Sequence, residues 1–275
     1  MISWPDLGTR VTVRYRRPAG SVPPLTDAVG HLLVVDPVVR VRTKSGAVVE
    51  FAPADVVALR VLTDAPVRTA EIRALEHAAA AAWPAVEHTW LHGWLLRADP
   101  GADLTANSAV PLDISADAAA IPGIVAWYAR SGLTPRLAIP DRLLQPPAGF
   151  TPEHEDRMLV RDVRDVRAAS LERHARVQLD DESHASVTFG GQPGAAMARA
   201  AVTEAPDGTR WVGLSALQVD DGRVCEELLA WGASQGATRA YVAVAGATGF
   251  AESLGFRLHH RRRYLVAQSG AWDTV

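Results

Sequence analysis

WVGLSALQVDDGRVCEELLAWGASQGATRAYVAVAGATGFAESLGFRLHHRRRY, residues 211–264, is the stretch whose reading decides the fold. It reads as a strand from Trp211 to Val219 and a helix from Val224 to Ser234 that buries Val224, Cys225, Leu228, Leu229 and Trp231 and stops at Gly236. A strand from Arg239 to Ala245, a short helix, Leu254-Gly255-Phe256 and a last strand complete it. Strand, covering helix and strand in succession make this stretch of the chain α/β.

Working outward, Arg157 to Arg161 reads as a strand and Val163 to Ala175 as a helix. Ser186 to Phe189 and Met197 to Glu204 read as strands, and Asp207-Gly208 suits a tight hairpin into Trp211. Pro140, Pro146, Pro147 and Pro152 mark a linker, since closely spaced prolines prevent continuous regular structure. Ahead of it, Thr69 is the expected N-cap of a helix through Ile72, Leu75, Ala79 and Ala82 that ends before Pro84. Strands His88 to Ala98 and Ala106 to Leu112 follow, then a helix through Ile124, Val125 and Trp127 closed by Gly132. Ala126-Trp127 with Gly132-Leu133-Thr134 echoes Ala230-Trp231 with Gly236-Ala237-Thr238, which suggests two related halves.

Residues 10–62 carry five short strand-like runs: Val11 to Arg17, His31 to Val35, Val38 to Thr43, Val48 to Phe51 and Val57 to Leu62. Runs this short bury little alone, so closure into an SH3-like barrel is expected, with Asp36-Pro37 and Lys44-Ser45-Gly46 as turns.

With 275 residues, 48% hydrophobic, the chain has material for two domains. A net charge of -3 supplies no global field toward nucleic acid or an anionic membrane. Cys225 is the only cysteine, which excludes an internal disulfide and a cysteine metal cage. The first ten residues include Asp6 and lack the basic and apolar segments of a signal peptide, and no run of about 18 apolar residues occurs, so cytoplasm without a membrane span is the expectation.

Several segments together resemble a known family. They are Gly8-Thr9-Arg10-Val11; Thr69-Ala70-Glu71-Ile72-Arg73-Ala74-Leu75-Glu76 leading to Trp83-Pro84; Gly93-Trp94-Leu95-Leu96-Arg97; Ala106-Asn107-Ser108-Ala109-Val110-Pro111-Leu112; and Leu254-Gly255-Phe256 with His259-His260. Spread over nearly the whole chain, they are similar to the actinobacterial GNAT N-acetyltransferases that carry an N-terminal SH3-like domain, some of them linked to glutamate acetylation. The resemblance implies an α+β chain: an SH3-like β-barrel at 1–63, an N-terminal GNAT-like half at 64–150, and a C-terminal GNAT acetyltransferase domain at 151–275. It further implies acetyl-CoA as co-substrate and a small-molecule amine as acceptor, glutamate among the candidates.

Acetyl transfer in such a fold needs an anion site at a helix N-terminus, a base for the acceptor amine and a proton donor for the leaving thiolate. The resemblance assigns the backbone of Leu217, Gln218 and Val219 to the pantetheine arm, Gly222 and Arg223 to the phosphates, Asn107 and Ser108 to the acceptor side, and His259 or His260 to the base. Three positions depart from the family pattern. Asp220-Asp221-Gly222-Arg223 stands where an Arg- and Gly-rich loop is usual, and its carboxylates would cap the N–H groups a pyrophosphate needs. Ala251 occupies the place of the usual Tyr, and Thr105 that of an Arg before Ala106-Asn107-Ser108. The alternative is a catalytically degenerate relative acting as a binding or regulatory protein.

Other constellations read as structure. His88 and His92, taken as one strand, would lie about 13 Å apart, too far to share a metal ion. Arg14, Arg16, Arg17, Arg40, Arg42 and Lys44 lack interleaved aromatics beyond Tyr15 and read as solvated faces, so no nucleic-acid partner is expected.

Overall fold

The computed structural model describes residues 4–62, 67–146, 151–166, 175–179, 183–189, 198–215 and 222–267, with side chains described for all but a few strand residues. The chain divides into two compact units, residues 1–66 and 67–275.

The first unit is a five-stranded antiparallel sheet: β1 (Arg10–Arg16), β2 (Leu25–Val34), β3 (Val39–Thr43), β4 (Val48–Phe51) and β5 (Val56–Val61), in the order β4-β3-β2-β1-β5. Alternate residues Val11, Val13, Ala28, Leu32, Val39 and Val41 are fully or almost fully buried, as one apolar face of each strand requires. The expected closed barrel is absent among the described residues: β4 and β5 are the two ends of the sheet and do not pair. The turn at Lys44-Ser45-Gly46 forms as expected, with Gly46 at φ 87° and its N–H donating to Thr43 O at 2.9 Å.

The second unit is built on an eleven-stranded sheet. Its first half contributes α1 (Thr69–Ala82), β6 (Glu87–Leu91), β7 (Trp94–Ala98), β8 (Ala109–Pro111), α2 (Ile121–Arg130) and β9 (Arg136–Pro140). The second half contributes β10 (His154–Asp162), β11 (Ala175–Leu179), β12 (His184–Phe189), β13 (Ala198–Glu204), β14 (Arg210–Ser215), α3 (Gly222–Ser234), β15 (Arg239–Ala245), α4 (Gly249–Ser253) and β16 (Arg257–Val266). The order is β11-β12-β13-β14-β15-β10-β16-β9-β8-β7-β6, so β16 paired with β9 welds the halves into one sheet.

Three local expectations are corrected. Arg68, not Thr69, caps α1: its backbone N–H donates to Glu71 Oε2 at 2.6 Å, a reach that a carboxylate three residues into the helix provides. The run His88 to Ala98 is a hairpin, because His92 (φ 43°) and Gly93 (φ 82°) take left-handed conformations and turn β6 back on β7. Val163 to Val166 forms a turn where the helix Val163 to Ala175 was expected to begin, and residues 167–174 lie outside the described residues.

The central strands of the large sheet present alternate residues to opposite layers. Val212, Leu214, Ala240 and Val242 pack under α3, while Trp211 and Tyr241 face α1 together with Met158. In the first half Trp94, Leu96 and Ala98 pack on α2, while Leu95 lies on the α1 side. Thus α1, encoded in the first half, lies over both halves on one face of the sheet.

Candidate active site

Among the described residues the only parallel pairing in the second half is β14 with β15, and it runs from Trp211↔Arg239 to Leu214↔Val242. β15 continues to Ala245 with its other edge held by β10 through Asp156↔Ala245. Among the described residues the pairing ends at Leu214↔Val242, and a cavity of about 570 Å³ lies beside Val242 to Ala245. Its walls come from Ala79 of α1 and Trp83 just after it, the loop carrying Thr105, β10, the end of β14 (Leu214, Ser215), β15, α4 and β16.

The polar groups on this cavity converge on Asp156. His154 Nε2 lies 2.8 Å from Asp156 Oδ1, and Tyr264 Oη donates to Asp156 Oδ2 at 2.9 Å. Arg262 Nη2 donates to the same Oδ2 at 3.1 Å. His154 and Asp156 meet because residues two apart in a strand project to the same face. Burial works against ionising Asp156, but Arg262 and the hydrogen bonds from His154, Arg262 and Tyr264 outweigh it and hold its pKa below the usual carboxylate range. Burial pushes the Tyr264 hydroxyl up to about 12, so it keeps its proton.

Behind this group a second charged layer is sealed from water. Glu76 on α1, 1% exposed, accepts from His260 Nε2 at 2.7 Å and from Arg262 Nη1 at 3.0 Å. Burial opposes its charge, yet Arg262 and His260 hold it down to about 2. The Nδ1 atoms of His259 and His260 are 2.8 Å apart, so one donates to the other, and burial depresses His259 to about 3. A register shift explains how adjacent residues are both buried: Met158 pairs with His260 but Leu159 with Leu258, which leaves His259 as the extra residue of a bulge.

The residues singled out in the sequence fall in three places. His259 and His260 are buried and do not line the cavity; they brace Glu76 and, through it, Arg262. Asn107 uses its amide within the loop: Nδ2 donates to the carbonyls of Asp99, Ala102 and Asp103, and Oδ1 accepts from Asp99 N–H. Ser108 Oγ donates to Thr105 O at 3.4 Å. Both thus shape the loop that brings Thr105 to the cavity, where its Oγ1 sits 3.3 Å from Tyr264 Oη. Leu217, Gln218 and Val219, with Asp220 and Asp221, lie outside the described residues, whereas Gly222 opens α3 and Arg223 follows it. Ala251 does line the cavity. His154, Asp156 and Tyr264 went unnoticed in the sequence, although the His-x-Asp spacing ahead of a strand was the signal for the first two.

A pantetheine-like chain fits this structure on two observations: Val242 to Ala245 line the cavity, and the edge of β15 beyond Val242 has no β14 partner among the described residues. Among those residues no group of three His, Cys, Asp or Glu side chains is placed to hold a metal ion, and no helix is long and apolar enough to cross a membrane.

The second unit is thus a mixed sheet in which the parallel pair β14–β15 borders a polar-floored cavity, with β14 followed by helix, strand, short helix and strand. The family model described as "Probable histone acetyltransferase Rv0428c C-terminal" matches residues 69–265, and the one described as "Rv0428c N-terminal Sm-like domain" matches residues 5–60. A protein of Mycobacterium tuberculosis (strain ATCC 25618 / H37Rv), named "Probable histone acetyltransferase Rv0428c", is 60% identical over 301 residues and covers 100% of both chains. The chain belongs to the Rv0428c family. Its first unit is accordingly Sm-like, which replaces the SH3-like expectation. Among solved structures, a GCN5-related N-acetyltransferase from Kribbella flavida has TM-score 0.49 at 14% identity, over 75% of this chain and 98% of its own. A GNAT-family acetyltransferase from Novosphingobium aromaticivorans DSM 12444 has TM-score 0.41 at 15% identity, over 72% and 96%.

Proposed function

We propose that the protein transfers an acetyl group from acetyl-CoA to a primary amine in the cavity between β14, β15 and α1, in the cytoplasm. The observation that carries this reading is the His154–Asp156 pair on the cavity wall. Acetyl-CoA supplies an activated thioester there; the chain's own residues handle the acceptor. His154 donates its Nε2 proton to Asp156, which leaves Nδ1 as the free base for a proton of the amine. Asp156 fixes that tautomer and balances the imidazolium charge, while Tyr264 and Arg262 hold Asp156 in place. His154 thereby takes the role that the sequence assigned to His259 or His260.

A small-molecule amine, glutamate among the candidates, remains the first reading of the acceptor. A lysine side chain on a basic protein is the second, favoured by the name of the 60% identical relative. Thiol release from acetyl-CoA, measured against a panel of amino acids, polyamines and lysine-rich peptides, separates the two. His154→Gln is expected to lower the turnover about 10²- to 10⁴-fold with KM for acetyl-CoA little changed. Full activity in His154→Gln would remove the base assignment. Acetyl-CoA binding without turnover on any amine would favour the regulatory alternative raised by Ala251 and Asp220-Asp221.

A further inference from the structure

The β6–β7 hairpin carries a second cavity, distinct from the acetyl-transfer cleft and on the other flank of α1. Its register sets His88 opposite Arg97 and Trp90 opposite Leu95, so these four side chains share one face of the hairpin. α1 covers that face with His77, Ala80 and Ala81, and together they enclose about 240 Å³. His88, Trp90 and Ala81 are exposed and form the mouth; the floor is Arg97, 2% exposed.

Arg97 is unusual for a buried arginine. Among the described residues, its Nε and Nη1 are sealed from solvent and make no hydrogen bond. Burial and the like charge of Arg262 work against its proton, while Glu76 and the tyrosines 128 and 264 favour it, but both Glu76 oxygens are taken by His260 and Arg262. The Tyr128 hydroxyl is likewise spent on the backbone of Arg97, donating to its carbonyl at 2.8 Å. Buried guanidinium nitrogens with no hydrogen-bonded carboxylate cost several kcal/mol, which a buried cation in a native fold normally recovers from a partner. The rest of the lining is apolar: Ala80, Ala85, Leu95 and Leu112 among others. His77, partly buried and stacked on Trp90 at 6.0 Å, is depressed by burial and adds no charge at neutral pH.

One fixed positive charge at the bottom of an apolar, aromatic-rimmed hole selects an anion with a single charge and a hydrophobic body. We propose that the cavity between α1 and the β6–β7 hairpin binds a small monocarboxylate, its carboxylate paired with Arg97 and its apolar body against Leu95, Leu112 and Trp90. With Nε and Nη1 sealed, a carboxylate in the cavity is met by the remaining nitrogen, Nη2, as a single charge-assisted hydrogen bond. The site is independent of acetyl transfer, and binding is read with no acetyl-CoA present.

Calorimetry of the full chain with butyrate, the neutral isostere butyramide and inorganic phosphate tests this. Butyrate is expected to bind, butyramide at least about tenfold more weakly, and phosphate more weakly than butyrate. Arg97→Met, close in volume and uncharged, should weaken butyrate at least about tenfold. Ala81→Phe, at an exposed helix position over the mouth, should block it while leaving the fold intact, so the test survives a poorly folding Arg97→Met. Equal binding of butyrate and butyramide, tighter phosphate, unchanged affinity in Ala81→Phe, or no heat at about 50 mM butyrate would each overturn the proposal.

Discussion

Glu76 and His259 show how single residues tie this fold to pH. Glu76 has an ordinary value of 4.5 and sits at about 2 in the folded chain, so it stabilises the fold above pH 4.5 and loses that contribution as pH falls from 4.5 toward 2. The stake is about 3 kcal/mol. His259 has an ordinary value of 6.5 and sits at about 3, since burial disfavours its protonated form. Its neutral state therefore favours folding above pH 6.5, and stability is lost as pH falls below that. The urea midpoint of the wild type is expected to drop between about pH 7.5 and 5, and His259→Asn, which keeps a polar atom near the Nδ1 position, should flatten that interval. A wild-type midpoint that stays level over the same range would contradict the burial of a neutral His259. Glu76→Gln leaves Arg262 with Asp156 alone and should cost about 3–5 kcal/mol at neutral pH. At this scale the site was half legible. His259-His260 catches the eye as an adjacent pair, but its burial follows from a bulge that no local pattern announces. His154 and Asp156 escaped because the strand was expected to start at Arg157, three residues after β10 begins at His154.

Among the elements, α3 and β14 meet in close contact at a glycine. Gly232 on α3 lies against β14, and a Cβ added there would stand 2.5 Å from Val212 Cβ. Val212 is fully buried and cannot yield without moving the strand or helix. Gly232→Ala should therefore destabilise the protein by about 1–3 kcal/mol despite the better helix propensity of alanine, read as a lower urea midpoint at unchanged m. A stabilised variant would mean that α3 has room to lift off the sheet. The same contact explains what was readable in elements. Helix α3, strand β15 and the turn at Gly236 were legible because apolar spacing and a left-handed glycine are local signals. The hairpin turn at His92 and Gly93 was not, because strand-like residues on either side, Thr89-Trp90-Leu91 and Trp94-Leu95-Leu96, conceal a reversal that rests on a positive-φ histidine and glycine. Sheet order was equally hidden: β10 lies between β15 and β16, a placement set by pairing across the unit.

For the whole molecule, the question is whether the two halves of the large unit can stand apart. Composition and the Trp-to-Gly echo portray them as separable repeats, and the proline-marked linker at 140–152 invites a cut there. The interactions oppose it. β9 pairs with β16 from Arg136↔Val266 to Pro140↔Arg262, so cutting leaves each half with an unpaired interior strand edge. Glu76 from the first half is the buried partner of His260 and Arg262 from the second, so separation strands a carboxylate on one side and a guanidinium on the other. α1 also covers Met158, Trp211 and Tyr241 of the second half, an apolar face that would be opened to water. Expressed alone, residues 67–150 and 151–275 are therefore each expected to lack a cooperative unfolding transition, while co-expression should yield a one-to-one complex that unfolds as a single unit. Circular dichroism melts and size-exclusion chromatography decide between these outcomes. A cooperatively folded 151–275 would show that the second half carries its own core, and that Glu76 and α1 were added to a domain already stable without them.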